Sequence, residues 1–233
     1  MFYFDDLNGQ KILRSDKLKK YEGVDAFFTT RGVNIPTDFA SRIITPQQTH
    51  SDHIETVDER EEYPDTDGLI LTEPDTAIYL RFADCTPLIF YDPKHNIAAI
   101  SHAGWRGTAA RIGVKTVAKM VMNFSSRVYD IIALIGPAIS MCCYEVSDDV
   151  KDSLLSTVKN TKGLFKGRNV DLKQINARQL KEIGVHNIDI CPYCTSCNND
   201  LFYSYRKENG TDKRHFAVIK LENIEQEEFT QAR

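Results

Sequence analysis

Two histidines and one cysteine stand in three short polar motifs of the chain. His50 ends a run of glutamine and threonine, Cys85 lies within Ala83–Pro87, and His102 begins the run His102–Thr108. Each motif comes at the end of an apolar segment beside turn residues, where side chains can converge. A thiolate, two neutral imidazoles and one open position form the ligand set with which zinc activates water. We therefore predict a zinc site at His50, Cys85 and His102, with copper as the alternative because the same ligands suit a blue-copper centre.

An arginine between two glycines suggests an anion site next to these ligands. Gly104, Arg106 and Gly107 lie just ahead of a predicted helix. A guanidinium together with the free amides of a helix N-terminus can hold a phosphate or a carboxylate. We expect Arg106, Gly104 and Gly107 to bind such a group.

Two carboxylates are candidates for supporting roles in this chemistry. A histidine that binds a metal usually donates its other ring nitrogen to a carboxylate, so Asp84 is a candidate for orienting His50 or His102. For a reaction that moves a proton, Asp84 and Glu145 are the candidate carriers.

Short β-strands with interspersed helices must position these groups. Segments rich in β-branched and aromatic residues, bounded by Pro, Asp, Asn or Gly, predict strands: 25–31, 68–72, 76–82, 87–92, 96–101, 130–137, 188–190, 201–205 and 216–221. The turn at 92–96 predicts a hairpin. Apolar positions at helical spacing predict helices: 108–123 capped by Thr108, 146–159, and 171–184 capped by Asp171 and ended by Gly184. A charged tail begins at Glu222. This order predicts an α+β fold with mixed sheets.

Composition limits the class of protein. The chain has 233 residues, enough for one large domain, and we expect 1–233 to form a single domain. A formal net charge of −4 and a pI near 5.9 show no basic footprint for nucleic acid. No membrane segment or secretory signal is present, so we expect a cytoplasmic protein without a membrane partner. A small-molecule substrate fits best.

The remaining cysteines give a weaker signal. Cys191, Cys194 and Cys197 offer three thiols, whereas structural zinc takes four ligands, so the sequence favours a packed or redox-inactive loop. Cys142 and Cys143 are adjacent and are expected in the core. In the absence of export signals, all of these thiols are expected to be reduced.

Taken together, these motifs resemble the YfiH/laccase-domain family, whose members are known as polyphenol oxidase, purine nucleoside phosphorylase and peptidoglycan editing factor. The resemblance covers most of the chain and rests on six runs: Gln48-Thr49-His50-Ser51, Ala83-Asp84-Cys85-Thr86-Pro87, His102-Ala103-Gly104-Trp105-Arg106-Gly107-Thr108, Ile135-Gly136-Pro137-Ala138-Ile139, Tyr144-Glu145-Val146 and Phe202-Tyr203-Ser204-Tyr205-Arg206. It implies an α/β/β/α sandwich of mixed β-sheets flanked by helices, and a Zn²⁺ site on His50, Cys85 and His102. It also implies phosphorolysis of adenosine, inosine, guanosine and methylthioadenosine, and deamination of adenosine, with nucleoside and phosphate as partners.

Within this resemblance, Arg31 is a candidate contact to substrate or phosphate, and Arg206 and Arg214 are expected on the same surface. The chain departs from the family between Arg31 and His50, where a longer segment with a helix is usual. Three alternatives remain open: a copper-dependent polyphenol oxidase, a cysteine hydrolase with Cys85 as nucleophile acting on amides such as peptidoglycan precursors, and a metal-dependent interaction module.

Overall fold

Two mixed β-sheets of six strands each form the centre of the protein, which a computed structural model describes over residues 1–223. The strands of the first sheet, in spatial order, are β1 (Phe2–Leu7), β2 (Gln10–Ser15), β3 (Val24–Thr29), β14 (His215–Leu221), β7 (Thr76–Phe82) and β4 (Arg42–Ile44). Those of the second are β13 (Asn187–Ile190), β10 (Ile132–Ile135), β8 (Thr86–Asp92), β9 (Ile97–Ala103), β6 (Gly68–Leu71) and β5 (Ile54–Thr56). The pairs β4–β7, β5–β6 and β10–β13 are parallel, and the other pairs are antiparallel.

Alternation of side chains along the strands builds the two main cores. In β8, Ile89 and Tyr91 pack between the sheets, whereas Leu88 and Phe90 face the helices on the outside of the second sheet. Every residue of β8 and β9 is therefore buried. This double covering explains why these strands appear in the sequence as continuous apolar runs.

Four helices occur within the described residues: α1 (Trp105–Ala109), α2 (Ile112–Phe124), α3 (Asp148–Leu155) and α4 (Leu172–Glu182). The predicted class, α+β with mixed sheets flanked by helices, is confirmed. Helices α2 and α4 pack on the second sheet. Residues 33–39 cover the outer face of the first sheet. They belong to the short segment between Arg31 and His50. A small hairpin, β11 (Phe165–Lys166) and β12 (Asn169–Val170), completes the described elements.

Most predicted elements are found close to their expected bounds, including the hairpin at 92–96 that joins β8 to β9. The Asp171 carboxylate caps α4 by accepting from the Gln174 amide at 3.1 Å, and Gly184 lies just beyond its end with a left-handed φ of 99°. The helix predicted from Thr108 is wrong in its start. Thr108 is buried within α1, and α2 begins after Arg111. The left-handed φ of 60° at Arg111 separates the two helices.

Two further sequence predictions are wrong. Residues 201–205 form turns and no strand, because the amides of Leu201 and Phe202 bond back to the carbonyl of Asn198. Cys142 is exposed and Cys143 half-buried on a turn after β10, so neither is a core residue.

Within residues 1–223, no helix combines the length and the apolar character that crossing a membrane requires. The charged tail predicted from Glu222 lies outside the described residues, apart from Glu222 and Asn223.

Candidate metal centre

His50, Cys85 and His102 come together in the structure. Their ligand atoms all lie within 4.8 Å of one another, and the two imidazole rings cross at 71° with centroids 4.8 Å apart. His102 is buried, Cys85 is half-buried and His50 is exposed. The three donors predicted for zinc therefore form one group that is open to solvent on the side of His50.

The strand connections bring the three side chains to this point. Cys85 lies in the turn between β7 and β8, and His102 is the next to last residue of β9, where the antiparallel register pairs it with Pro87. His50 comes from the loop between β4 and β5. His50 and Asp84 have left-handed φ angles of 65° and 87°, a costly conformation for non-glycine residues that concentrates at functional sites.

A glycine at position 104 allows the donors to approach one another. A Cβ atom at Gly104 would lie 2.9 Å from the Cys85 sulfur and 3.4 Å from Cδ2 of His50. At Gly107 a Cβ atom would lie 3.0 Å from the carbonyl oxygen of His102. The structure places both glycines directly behind the donor group, and their predicted contact with an anion stays a prediction.

Asp67, which the sequence analysis missed, holds the site in place. Its buried carboxylate bonds Nδ1 of His102 at 2.7 Å and accepts from the amides of Thr49 and Ser51 at 3.0 and 2.8 Å. Those amides flank His50, so one carboxylate fixes two of the three donors. Because Nδ1 of His102 faces Asp67, Nε2 is left to face Cys85 and His50. The sequence signal was a polar residue at the edge of an apolar strand, the same position that marks Cys85 and His102.

Electrostatics within the group favours a charged thiolate. Burial raises the pKa of the Cys85 thiol, but the imidazoles of His102 and His50 outweigh burial and bring that pKa to about 6. Burial lowers the pKa of His102, but Cys85 and Asp67 outweigh it and bring that pKa to about 9. Asp67 is opposed by burial as well, and its bonds to His102, Thr49 and Ser51 hold its pKa at about 2.

The three donors open onto a cavity of about 800 Å³. Three arginines line it: Arg81, Arg206 and Arg214. Within residues 1–223, none of these guanidinium groups forms an ion pair with a carboxylate. Two tyrosines, Tyr144 and Tyr205, complete the part of the wall that could face a planar ring. Burial raises the pKa of Tyr144 to about 12, so its phenol is a hydrogen-bond donor at neutral pH.

Asp84 lines the cavity but does not orient His102, which the structure pairs with Asp67 instead. The Asp84 carboxylate accepts from the Thr195 hydroxyl and from the Arg206 amide, both at 2.7 Å. Because the backbone φ at Asp84 is left-handed, its side chain turns away from the histidines towards these two later segments. Asp84 therefore positions the wall that carries Arg206.

Glu145, the other predicted proton carrier, lies outside the cavity. It pairs with Arg168 in a neighbouring groove, which Trp105 also lines. Trp105 stacks with Arg106, whose guanidinium carbon lies 4.4 Å from the ring centroid. Glu145 and Trp105 do not line the cavity onto which the three donors open.

The two arginines predicted to bind substrate or phosphate are also absent from the cavity wall. Arg106 is exposed beside Trp105. Arg31 pairs with Glu208 at 2.6 Å and stacks on Tyr203, because the turn after β3 packs against residues 199–208. The cavity instead takes its arginines from β7 and from the segment before β14.

A family model described as multi-copper polyphenol oxidoreductase laccase matches residues 30–222. The chain belongs to this family. Among its relatives, a purine nucleoside phosphorylase of Clostridium acetobutylicum is 34% identical over 175 residues, 74% of each chain. The purine nucleoside phosphorylase YlmD of Bacillus subtilis is 33% identical over 205 residues, 79% of this chain and 72% of its own.

Two solved structures share the fold of this laccase-family chain. YlmD from Geobacillus stearothermophilus superposes with a TM-score of 0.83 and 28% identity. YfiH from Bacillus licheniformis superposes with a TM-score of 0.85 and 29% identity. In both comparisons 94% of this chain and 99% of the other are covered.

The donor set of this laccase-family chain does not fit a centre of several coppers. The sequence has six histidines, all within the described residues, and only His50 and His102 share a candidate metal site there. His53, the nearest in sequence, bonds the carbonyl of Asp65 and pairs with Glu55 on the surface. The residues present provide for a single ion at this site.

Proposed function

We propose that this protein is a purine nucleoside phosphorylase that uses one zinc ion held by His50, Cys85 and His102. The observation that carries the proposal is the combination, in one cavity, of a His₂Cys donor group and three arginines without carboxylate partners. The relatives named purine nucleoside phosphorylase support it.

The donor group fits zinc. One thiolate and two imidazoles leave an open position in a four-coordinate site, and a carboxylate behind one imidazole is the usual support. When bound there, zinc supplies a Lewis acid that polarises an oxygen of a reacting group.

The arginines of the cavity provide for phosphate. A guanidinium offers a fork of donors that matches phosphate oxygens, and Arg81, Arg206 and Arg214 have no competing acidic partner among the described residues. Phosphorolysis requires phosphate to attack the ribose carbon, and aligned positive groups stabilise the charge that develops there. Asp84 contributes by holding the backbone amide of Arg206.

The purine has a place beside the aromatic residues of the same wall. Tyr144 offers a protonated phenol and Tyr205 an exposed ring. The proposal covers adenosine, inosine, guanosine and methylthioadenosine, as the family resemblance implies. It includes deamination of adenosine, for which we assign Asp212 as the proton carrier, because the other carboxylate of the cavity wall, Asp84, is already bonded to Thr195 and Arg206.

A panel of these nucleosides, incubated with and without phosphate, tests the proposal. We expect release of free base only with phosphate, and inosine from adenosine in either condition. Cys85→Ser should abolish both reactions. The absence of base release by the wild type, or unchanged release by Cys85→Ser, would overturn the assignment.

A paired substitution tests the phosphate contacts separately. Arg206→Lys should raise the KM for phosphate about 10-fold or more, since a lysine cannot replace a forked donor. Arg127→Lys, on the loop after α2 and not part of the cavity wall, should leave that KM unchanged. An equal effect of both substitutions would show that Arg206 does not bind phosphate.

A cysteine hydrolase is the second candidate. Cys85, His102 and Asp67 have the arrangement of a catalytic triad, with a nucleophile, a base and a carboxylate that orients the base. Chelation distinguishes the two: a thiol hydrolase keeps its activity, and the zinc enzyme loses it. Metal analysis decides between zinc and copper: if the equivalent of metal that wild type binds and Cys85→Ser does not is copper, the polyphenol oxidase is favoured.

A further inference from the structure

Four cysteines outside the His₂Cys group form a second cluster of potential ligands. Cys142 and Cys143 lie on the turn after β10, and Cys194 and Cys197 lie on the segment after β13. All four sulfur atoms lie within 4.8 Å of one another. The sequence offered three thiols near residue 194, which favoured a packed or redox-inactive loop. In the structure Cys191 belongs to the core, and Cys142 and Cys143 join Cys194 and Cys197 from a distant segment.

We propose that Cys142, Cys143, Cys194 and Cys197 bind a structural zinc ion. Zinc held by four thiolates at about 2.3 Å sets the sulfur atoms about 3.8 Å apart. The sulfur of Cys197 lies 3.6 Å from that of Cys142 and 3.4 Å from that of Cys143. These separations are too long for a disulfide, which requires about 2.05 Å. They are close to the spacing that one zinc ion at the centre of the four sulfur atoms would impose.

The backbone around the cluster is arranged as for a metal-bound thiolate. The amide of Ser140 donates to the Cys194 sulfur at 3.3 Å, and such bonds stabilise negative sulfur. Residues 138 and 194 form a parallel bridge that continues the pairing of β10 with β13, and the Thr195 amide bonds the Ala138 carbonyl at 3.1 Å. The two cysteine segments are therefore held together by the sheet itself.

A buried lysine fixes the backbone just ahead of Cys194. The ammonium of Lys173 donates to the carbonyls of Cys191 and Tyr193 at 2.8 and 2.9 Å, and the residue is only 4% exposed. Within residues 1–223, no carboxylate forms an ion pair with Lys173. Its two bonds hold the chain that leads into Cys194 and Cys197, so the ligand segment is anchored from inside the fold.

The ion would join segments 55 residues apart next to the substrate cavity. Thr195, between two of the ligands, donates to Asp84, and Asp84 holds the amide of Arg206. Zinc at this cluster would fasten the cavity wall without contacting substrate. This inference is independent of the reaction proposed above.

Metal content and thiol reactivity of the purified protein test the site. We expect the Cys85→Ser variant, which keeps all four cysteines, to retain about one zinc per chain. Cobalt exchanged into that variant should give the red-shifted absorption of tetrahedral cobalt with four thiolates. Cys197→Ser should lose one equivalent of zinc relative to wild type, whereas Cys191→Ala, a buried thiol of the same segment outside the cluster, should lose none.

Thermal unfolding provides a further readout. Stripping the ion from Cys85→Ser with a chelator should lower the Tm by about 5–10 °C, as expected for losing one cross-link in a domain of this size. Three results would each overturn the proposal: a Cys85→Ser protein that binds neither zinc nor cobalt, one that holds iron in place of zinc, or fewer than six thiols titrating in wild type after denaturation with chelator.

Discussion

Replacing Asp67 by asparagine should weaken metal binding at His50, Cys85 and His102 while leaving the fold intact. In the wild type, one oxygen of Asp67 accepts from Thr49 and Ser51, and the other bonds Nδ1 of His102. The oxygen of an asparagine can serve the first set of donors, which turns its NH₂ group towards His102. Nδ1 must then accept, the ring proton moves to Nε2, and the nitrogen that faces Cys85 loses its free electron pair.

The size of the effect follows from the single bond that is lost. A buried hydrogen bond to a charged group contributes about 1.5–3 kcal/mol, and loss of a carboxylate behind a metal-binding histidine weakens metal binding about 10–100-fold. These ranges agree, because 10–100-fold corresponds to about 1.4–2.7 kcal/mol.

Competition with a chelator of known zinc affinity measures the change. Asp65→Asn is the matched control. Asp65 lies two residues before Asp67 and accepts from the Thr49 hydroxyl, and its carboxylate has no bond to His102. Circular dichroism and urea unfolding report on the fold of both variants. Wild-type zinc affinity in a folded Asp67→Asn protein, or an equal loss in Asp65→Asn, would refute the role assigned to Asp67.

Three further substitutions test the packing and the pH response. Gly104→Ala puts a methyl group 2.9 Å from the Cys85 sulfur, so we expect weakened metal binding by chelator competition with little change in Tm. Gly136→Ala places a Cβ atom 2.2 Å from the Phe28 ring between the sheets and should lower the free energy of unfolding by about 1–3 kcal/mol in urea. Burial, helped by nearby arginines, lowers the pKa of His215 from 6.5 to about 3. The unfolded chain then binds a proton that the folded chain refuses, so stability falls as the pH drops from 6.5 towards 3, by about 2 kcal/mol at pH 5. His215→Phe should flatten that slope in urea unfolding at several pH values, and an unchanged slope would contradict it.

The sequence predicts His50, Cys85 and His102 as one donor group because each lies at or near the end of an apolar strand. His50 and Cys85 lie on connections that run from the first sheet to the second, and His102 lies near the end of β9 in the second sheet. Residue type and position at strand ends marked all three as candidate ligands, and the packing of the two sheets brings them together. The fold class followed in the same way from the alternation of short strands and helical patterns.

The supporting residues could not be predicted because their partners are distant in the chain. Asp67 reaches His102 across 35 residues, and Asp84 reaches Arg206 across 122. A left-handed backbone at Asp84 decides which way its side chain points, and no local pattern encodes that choice.

The cysteines show the same limit. Cys194 and Cys197 are spaced as ligands, but the other half of their cluster comes from a turn that β10 places beside them. The Gly104–Gly107 motif favoured Arg106 as a contact and the family resemblance favoured Arg31, but neither lines the cavity. Arg206 and Arg214, which were expected on that surface, do line it, together with Arg81.

Addition of Zn²⁺ to chelator-treated protein, followed by parallel measurement of bound metal and of phosphate-dependent base release from inosine, tests the central claim most directly. We predict that activity returns with the equivalent of zinc that wild type binds and Cys85→Ser does not. Full activity in metal-free protein, recovery with copper but not with zinc, or base release by Cys85→Ser would contradict the proposed zinc phosphorylase.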